Sequence, residues 1–198
     1  MTLDSFSELV LAMVCAWIIW RSLKAPQSFA GIGLAAALIG FAALLGLVKF
    51  SSFSEASEVV SGPHRFASLV AAVGAFPILA YSLAQPASPI AMRLAGAWWM
   101  TFVLAGFSVA IVALGFKLWG QIVPAVCALW IGYTVLFTTK KRSLLLVLGW
   151  LSLLASFAVT LLIKPDAIVV GVLSKPQLLH YFLALALILL TYKKQLQH

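Results

Sequence analysis

The sequence predicts an all-α integral membrane protein: one polytopic domain over residues 1–198, a bundle of seven transmembrane helices with the N-terminus outside and the C-terminus cytoplasmic. Three observations predict it. The 198-residue chain is 64% hydrophobic and 9% charged, with a mean hydropathy of +1.11, whereas a soluble domain carries roughly 25% charged residues. Its apolar runs recur at about the 20-residue length that crosses a bilayer. The densest positive cluster, Thr138-Thr139-Lys140-Lys141-Arg142, separates two such runs, residues 121–137 and 143–163. Short loops rich in Lys and Arg stay on the cytoplasmic side.

With that loop inside, the remaining charges sort themselves. Arg21, Lys24, Arg93, Lys193 and Lys194 fall inside; Lys49, Arg65, Lys117, Lys164 and Lys175 fall outside, as do all five acids, Asp4, Glu8, Glu55, Glu58 and Asp166. The net charge of +8 is therefore topology, with some attraction to anionic headgroups. The cations form no basic face, so nucleic acid is not an expected partner. The lipid bilayer is, and the cell (inner, cytoplasmic) membrane is the expected location.

Each element follows from local chemistry. The first span, residues 6–22, has acids in its first turn and Arg21 and Lys24 after its end, the polarity the helix dipole favours. An acidic N-terminus is no signal-peptide n-region, so this run is expected to stay as a helix. Pro26 breaks the chain. In the second span, residues 29–49, Gly33, Ala36, Gly40 and Ala43 make a stripe of small residues, which lets another helix approach closely. A Ser-rich outer loop is expected over residues 50–62. The third span, residues 63–84, has Ser61 as its expected cap, Pro63 in its first turn, and Pro77 deep inside as an expected kink.

The fourth span, residues 94–116, carries Trp98 and Trp99 at its inner end, where aromatic belts lie. The fifth, residues 119–137, has Pro124 in its first turns. The sixth, residues 143–163, bears Ser152, Ser156 and Thr160 every four residues. Such hydroxyls usually bond their own helix or a neighbour. Residues 167–173 are apolar but too short to span, and an interfacial position is expected. Ser174-Lys175-Pro176-Gln177 reads as a capping box that opens the seventh span, residues 175–192, whose short apolar core favours tilt. Cys15 and Cys127 sit mid-span as small apolar packers.

No complete catalytic motif is present. There is no serine-hydrolase elbow, no phosphate-binding Gly-rich loop and no HExxH, and Ala184, four residues after His180, rules out an HxxxH pair on the last helix. The spans show no ionisable group near their middles, which argues against an ion-coupled carrier or a voltage sensor. The candidates that remain lie toward the outer side. His64, with Ser68 four residues on, and His180 begin helices that run the same way, so both imidazoles sit at similar, shallow depth.

Three uses of that pair compete. It can ligate a haem iron, with Arg65 or Lys175 near the propionates. It can hold a metal such as zinc with Glu55 or Glu58. Or both rings can rest in the interface, satisfied by water and headgroups. The leading expectation for function is binding or passage of a small neutral or lipophilic ligand through an outward-facing pocket. Its polar contacts would come from His64, His180, Ser68, Gln177, Ser152 and Ser156, with Thr101, Ser108, Gln121, Tyr133 and Thr160 as further hydroxyl and amide groups. A structural subunit of a membrane complex, with a membrane-protein partner, is the remaining expectation.

Overall fold

The structure is a computed structural model. It describes residues 2–24, 26–51, 54–84, 96, 99, 102–104, 106–108, 110–112, 114–116, 118–138, 143–162, 168–170 and 173–192. The described residues are nearly all helical: α1 (Leu3–Lys24), α2 (Pro26–Lys49), α3 (Ser54–Val70), a π-helical turn (Ala71–Ala75), α4 (Phe76–Ala84), α5 (Phe102–Val112), α6 (Trp119–Tyr133), a second π-helical turn (Thr134–Thr138), α7 (Leu144–Leu162) and α8 (Lys175–Tyr192). Six helical stretches are long and apolar enough to cross a membrane: Leu3–Lys24, Gly31–Lys49, Ser57–Ala84, Trp119–Phe137, Leu144–Leu162 and Lys175–Tyr192. α5 is a shorter apolar helix where the fourth span is expected. Arg93, Trp98, Thr101 and the cluster at 139–142 lie outside the described residues.

The spans close into a ring. α1 packs against α2 and α8, α8 against α7, α7 against α6, α6 against α4, and α3 with its π turn against α2. Close approach of α1 to α2 rests on the small-residue stripe, as expected. Gly33 faces Ser22, Gly40 faces Cys15 and Gly46 faces Glu8, each so closely that a Cβ would collide. Between lipid-solvated helices, packing of this kind replaces a hydrophobic driving force. On the far side, the Trp150 indole lies over Gly132 and donates to the Ala128 carbonyl at 3.0 Å. Trp150→Phe removes that bond and is expected to lower stability by about 0.5–1 kcal/mol, the worth of an interhelical hydrogen bond in a membrane bundle, read as a small drop in the unfolding midpoint.

Three expectations change. The outer loop is shorter than the sequence suggests, because α3 begins at Ser54. Pro63 is therefore inside the helix, and Ser61 donates to the Ser57 carbonyl at 3.0 Å instead of capping. The proline is tolerated because the carbonyl it deprives of a donor, four residues back, is that of Val59, a residue 76% exposed. In the short apolar stretch before the last helix, β1 (Ile168–Val170) pairs antiparallel with β2 (Leu173–Ser174). The kink expected at Pro77 takes a specific form. Pro77 offers no N–H to the Val73 carbonyl, and the helix widens into the π turn just ahead of it, a usual accommodation of a broken backbone ladder.

Candidate functional site

All six spans border one cavity of about 220 Å³. Its walls are mostly apolar, with Leu11 of α1, Ile39 of α2, Phe76 of α4, Phe157 of α7 and Leu183 of α8 among them. The π turn contributes Ala71 and Ala72, and Pro124 of α6 lies beside them. The π turn thus helps to shape the space. Gln121 and Leu161, both exposed, mark its open side.

One end of the cavity is polar. Glu8 enters it from α1, His64 from α3 and His180 from α8. The Glu8 side chain is 3% exposed, and its Oε1 lies 3.7 Å from His64 Nε2 and 3.6 Å from His180 Nε2. The two histidines are therefore neighbours, which their positions in parallel helices had left open. The group between them is Glu8, which the sequence reading placed with the outer acids. Glu58, offered there as a metal-binding partner, is exposed on α3, and the side chain of Glu55 lies outside the described residues.

Surrounding contacts fix the two rings differently. Lys49 Nζ lies 3.5 Å from His64 Nδ1, and an ammonium only donates. That nitrogen is the acceptor, so His64 carries its proton on Nε2 and points it toward Glu8 and toward Ser68 Oγ at 3.5 Å. Ser7 Oγ lies 3.0 Å from His180 Nδ1, while the Ser7 hydroxyl proton is given to the Asp4 carbonyl at 2.8 Å. His180 therefore donates from Nδ1 to Ser7, and in the neutral ring its Nε2 is a lone pair facing the Glu8 carboxylate. These assignments follow from the partners.

A second layer locks α8 to α1. Asp4 Oδ1 accepts from Ser174 Oγ at 2.8 Å and from Gln177 Nε2 at 2.7 Å. Gln177 Oε1 accepts from the Ser174 backbone N–H at 3.2 Å. Half of the expected capping box is present, and the Ser174 hydroxyl goes to Asp4. Thr2 caps α1 by accepting from the Ser5 N–H at 3.1 Å, and its hydroxyl donates to the Phe50 carbonyl at 2.7 Å.

Of the proposed ligand-binding residues, His64, Ser68, His180 and Ser156 border the cavity, together with Thr160 and Gln121. Gln177 and Ser152 do not. Gln177 is buried against Asp4, and Ser152 donates to the Phe182 carbonyl at 2.8 Å, bridging α7 to α8. Ser156 and Thr160 bond back to the carbonyls of Leu153 and Ser156, as such hydroxyls usually do. Of the cations considered for haem propionates, Arg65 is exposed and Lys175 donates to the Thr160 carbonyl at 2.7 Å. Ser108 accepts from the Trp119 indole at 2.7 Å, and Tyr133 stacks with Trp130 and Phe137. Among the described residues, no group of three or more His, Cys, Asp or Glu side chains is placed to hold a metal ion.

The residues that sequence reading missed are Glu8 and Gly46, whose lack of a side chain leaves the space that the Glu8 carboxylate fills. A usable signal was present. Ser5, Glu8, Ala12, Cys15 and Ser22 fall within one face of α1 at helical spacing, and all five are buried. The chain matches no known protein family, and no characterised protein or solved structure is significantly similar to it.

Proposed function

We propose that the protein binds, or lets pass, a small and largely apolar molecule in this cavity, which opens to the outer side of a cytoplasmic membrane that the chain crosses seven times. The observation that carries the reading is the cavity itself: bordered by all six of the long apolar helical stretches, walled by apolar side chains, and closed at one end by a few oriented polar groups. That is the general composition of small-molecule sites. The proposed orientation rests on the distribution of Lys and Arg. A haem or metal on His64 and His180 is the second reading, favoured by their shared approach to one point. It is weakened by the partners that both rings already have.

The test is binding of 2-phenylethanol to the purified chain in lipid nanodiscs, measured by calorimetry against empty nanodiscs. Ala125, a half-buried small residue of α6, borders the cavity. Ala125→Phe is expected to fill the space and weaken binding by about tenfold or more. Undiminished binding in this variant would sink the reading. An absorption spectrum and metal analysis of the same preparation, with His64→Ala and His180→Ala alongside, tests the alternative. Stoichiometric haem or zinc, lost in both variants, would replace the proposed function with that one.

A further inference from the structure

The polar end of the cavity has a specific chemical deficit. Among the described residues, every fully enclosed side-chain nitrogen or oxygen has a hydrogen-bond partner, and the Glu8 carboxylate is the acid that instead opens onto the cavity. The Glu8 carboxylate faces the cavity and relies on two imidazoles that stand at 3.6 and 3.7 Å, beyond hydrogen-bonding range. One of them, His64, turns an N–H toward it. The other, His180, is held by Ser7 so that its neutral ring turns a lone pair toward it. Two acceptors, Glu8 Oε1 and His180 Nε2, thus face the same space without a proton between them. A buried carboxylate in that position is costly unless it is paired.

We infer that the site takes a primary ammonium: the ligand is a small lipophilic amine, its –NH3+ group donating to both Glu8 Oε1 and His180 Nε2. This rests on the reading of the cavity as a small-molecule site and names the ligand class. An ammonium has three donors and no acceptor. A third N–H then faces Ser68 or Gln121, both on the cavity wall. A hydroxyl has one proton and satisfies only one of the two acceptors. A carboxylate has none and meets Glu8 with like charge. The hydrocarbon part occupies the apolar walls at Leu11, Phe76, Phe157 and Leu183.

The other charged groups near this end are accounted for. On α1, Asp4 is held by Ser174 and Gln177. On α2, Lys49 is turned to His64 and to the Phe50 ring. On α3, Arg65 is exposed, and on α8, Lys175 donates to Thr160. The walls contributed by α6 and α7 carry no titratable side chain.

The experiment compares three probes of matched shape on the full chain in nanodiscs: 2-phenylethylamine, 2-phenylethanol and 3-phenylpropionate. The amine is expected to bind at least about tenfold more tightly than the alcohol, and the acid more weakly than either. Glu8→Gln is expected to abolish that advantage, the amine losing at least about tenfold more affinity than the alcohol. Equal affinity of amine and alcohol, or an advantage that survives Glu8→Gln, overturns the ammonium assignment and leaves the cavity reading standing. Binding of none of the three probes overturns both. Should Glu8→Gln not give folded protein, Gly46→Ala displaces the same carboxylate and is read against the same outcomes.

Discussion

Gly40→Ala is expected to lower the unfolding free energy of the bundle by about 1–3 kcal/mol, the usual penalty for overpacking a fixed interface. The added Cβ would stand 2.9 Å from Cys15 Cβ, an atom fixed directly to the α1 backbone. Relief therefore requires the first two helices to move apart, and their separation is repeated along the whole stripe from Gly33 to Gly46. The compensating change is Cys15→Gly. Returning the lost space on α1 should recover most of the stability in the double variant, and a thermodynamic cycle of four unfolding midpoints in the same detergent measures the coupling. Additive losses would show that the two positions do not sense each other.

Gly46→Ala should behave in the opposite way. Its added Cβ would meet the Glu8 carboxylate, which is the far end of a flexible side chain and can swing aside. Stability should change little, by less than about 1 kcal/mol, within the range of a tolerated surface change. The carboxylate, however, loses its place between His64 and His180. The preference for amine over alcohol should fall by about tenfold, close to 1.4 kcal/mol, with the alcohol's affinity retained. A stability loss as large as that of Gly40→Ala, with unchanged ligand preference, would assign Gly46 to helix packing alone.

These two glycines also show what the sequence revealed and where it stopped. The small residues of α2 are readable as a stripe because helical spacing alone places them together. Which helix meets them is not readable, since lipid and protein neighbours are equally apolar and the usual contrast between an inner and an outer face is missing. His64 and His180 could be placed at one depth because both begin helices of the same direction. Their contact with a common carboxylate depends on the ring order of the spans, which no local pattern carries. Glu8 was misread for a physical reason. An acid in the first turns of a helix is stabilised by the dipole wherever it points, so its position did not reveal that it faces inward. The expectation that no ionisable group lies near the middle of a span does not reach Glu8, which is buried in the first turns of α1. Pro63 shows the same ambiguity: a proline suits the first turn of a helix, but on an exposed face it is also tolerated well inside one, as in α3, which begins at Ser54.

The ring closes where the first helix meets the last, and this has a consequence for how the chain is made. Glu8 enters the bilayer early in synthesis, about 170 residues before its partner His180. Its other neighbour, His64, follows much sooner, so for most of that interval Glu8 has one imidazole beside it and lacks the second. Insertion of α8 is then the event that completes the site and seals the ring through Asp4, Ser174 and Gln177 together. Chains arrested before that helix emerges would lack the bonds that tie Asp4 to Ser174 and Gln177, and would leave the ring open between its first helix and its last.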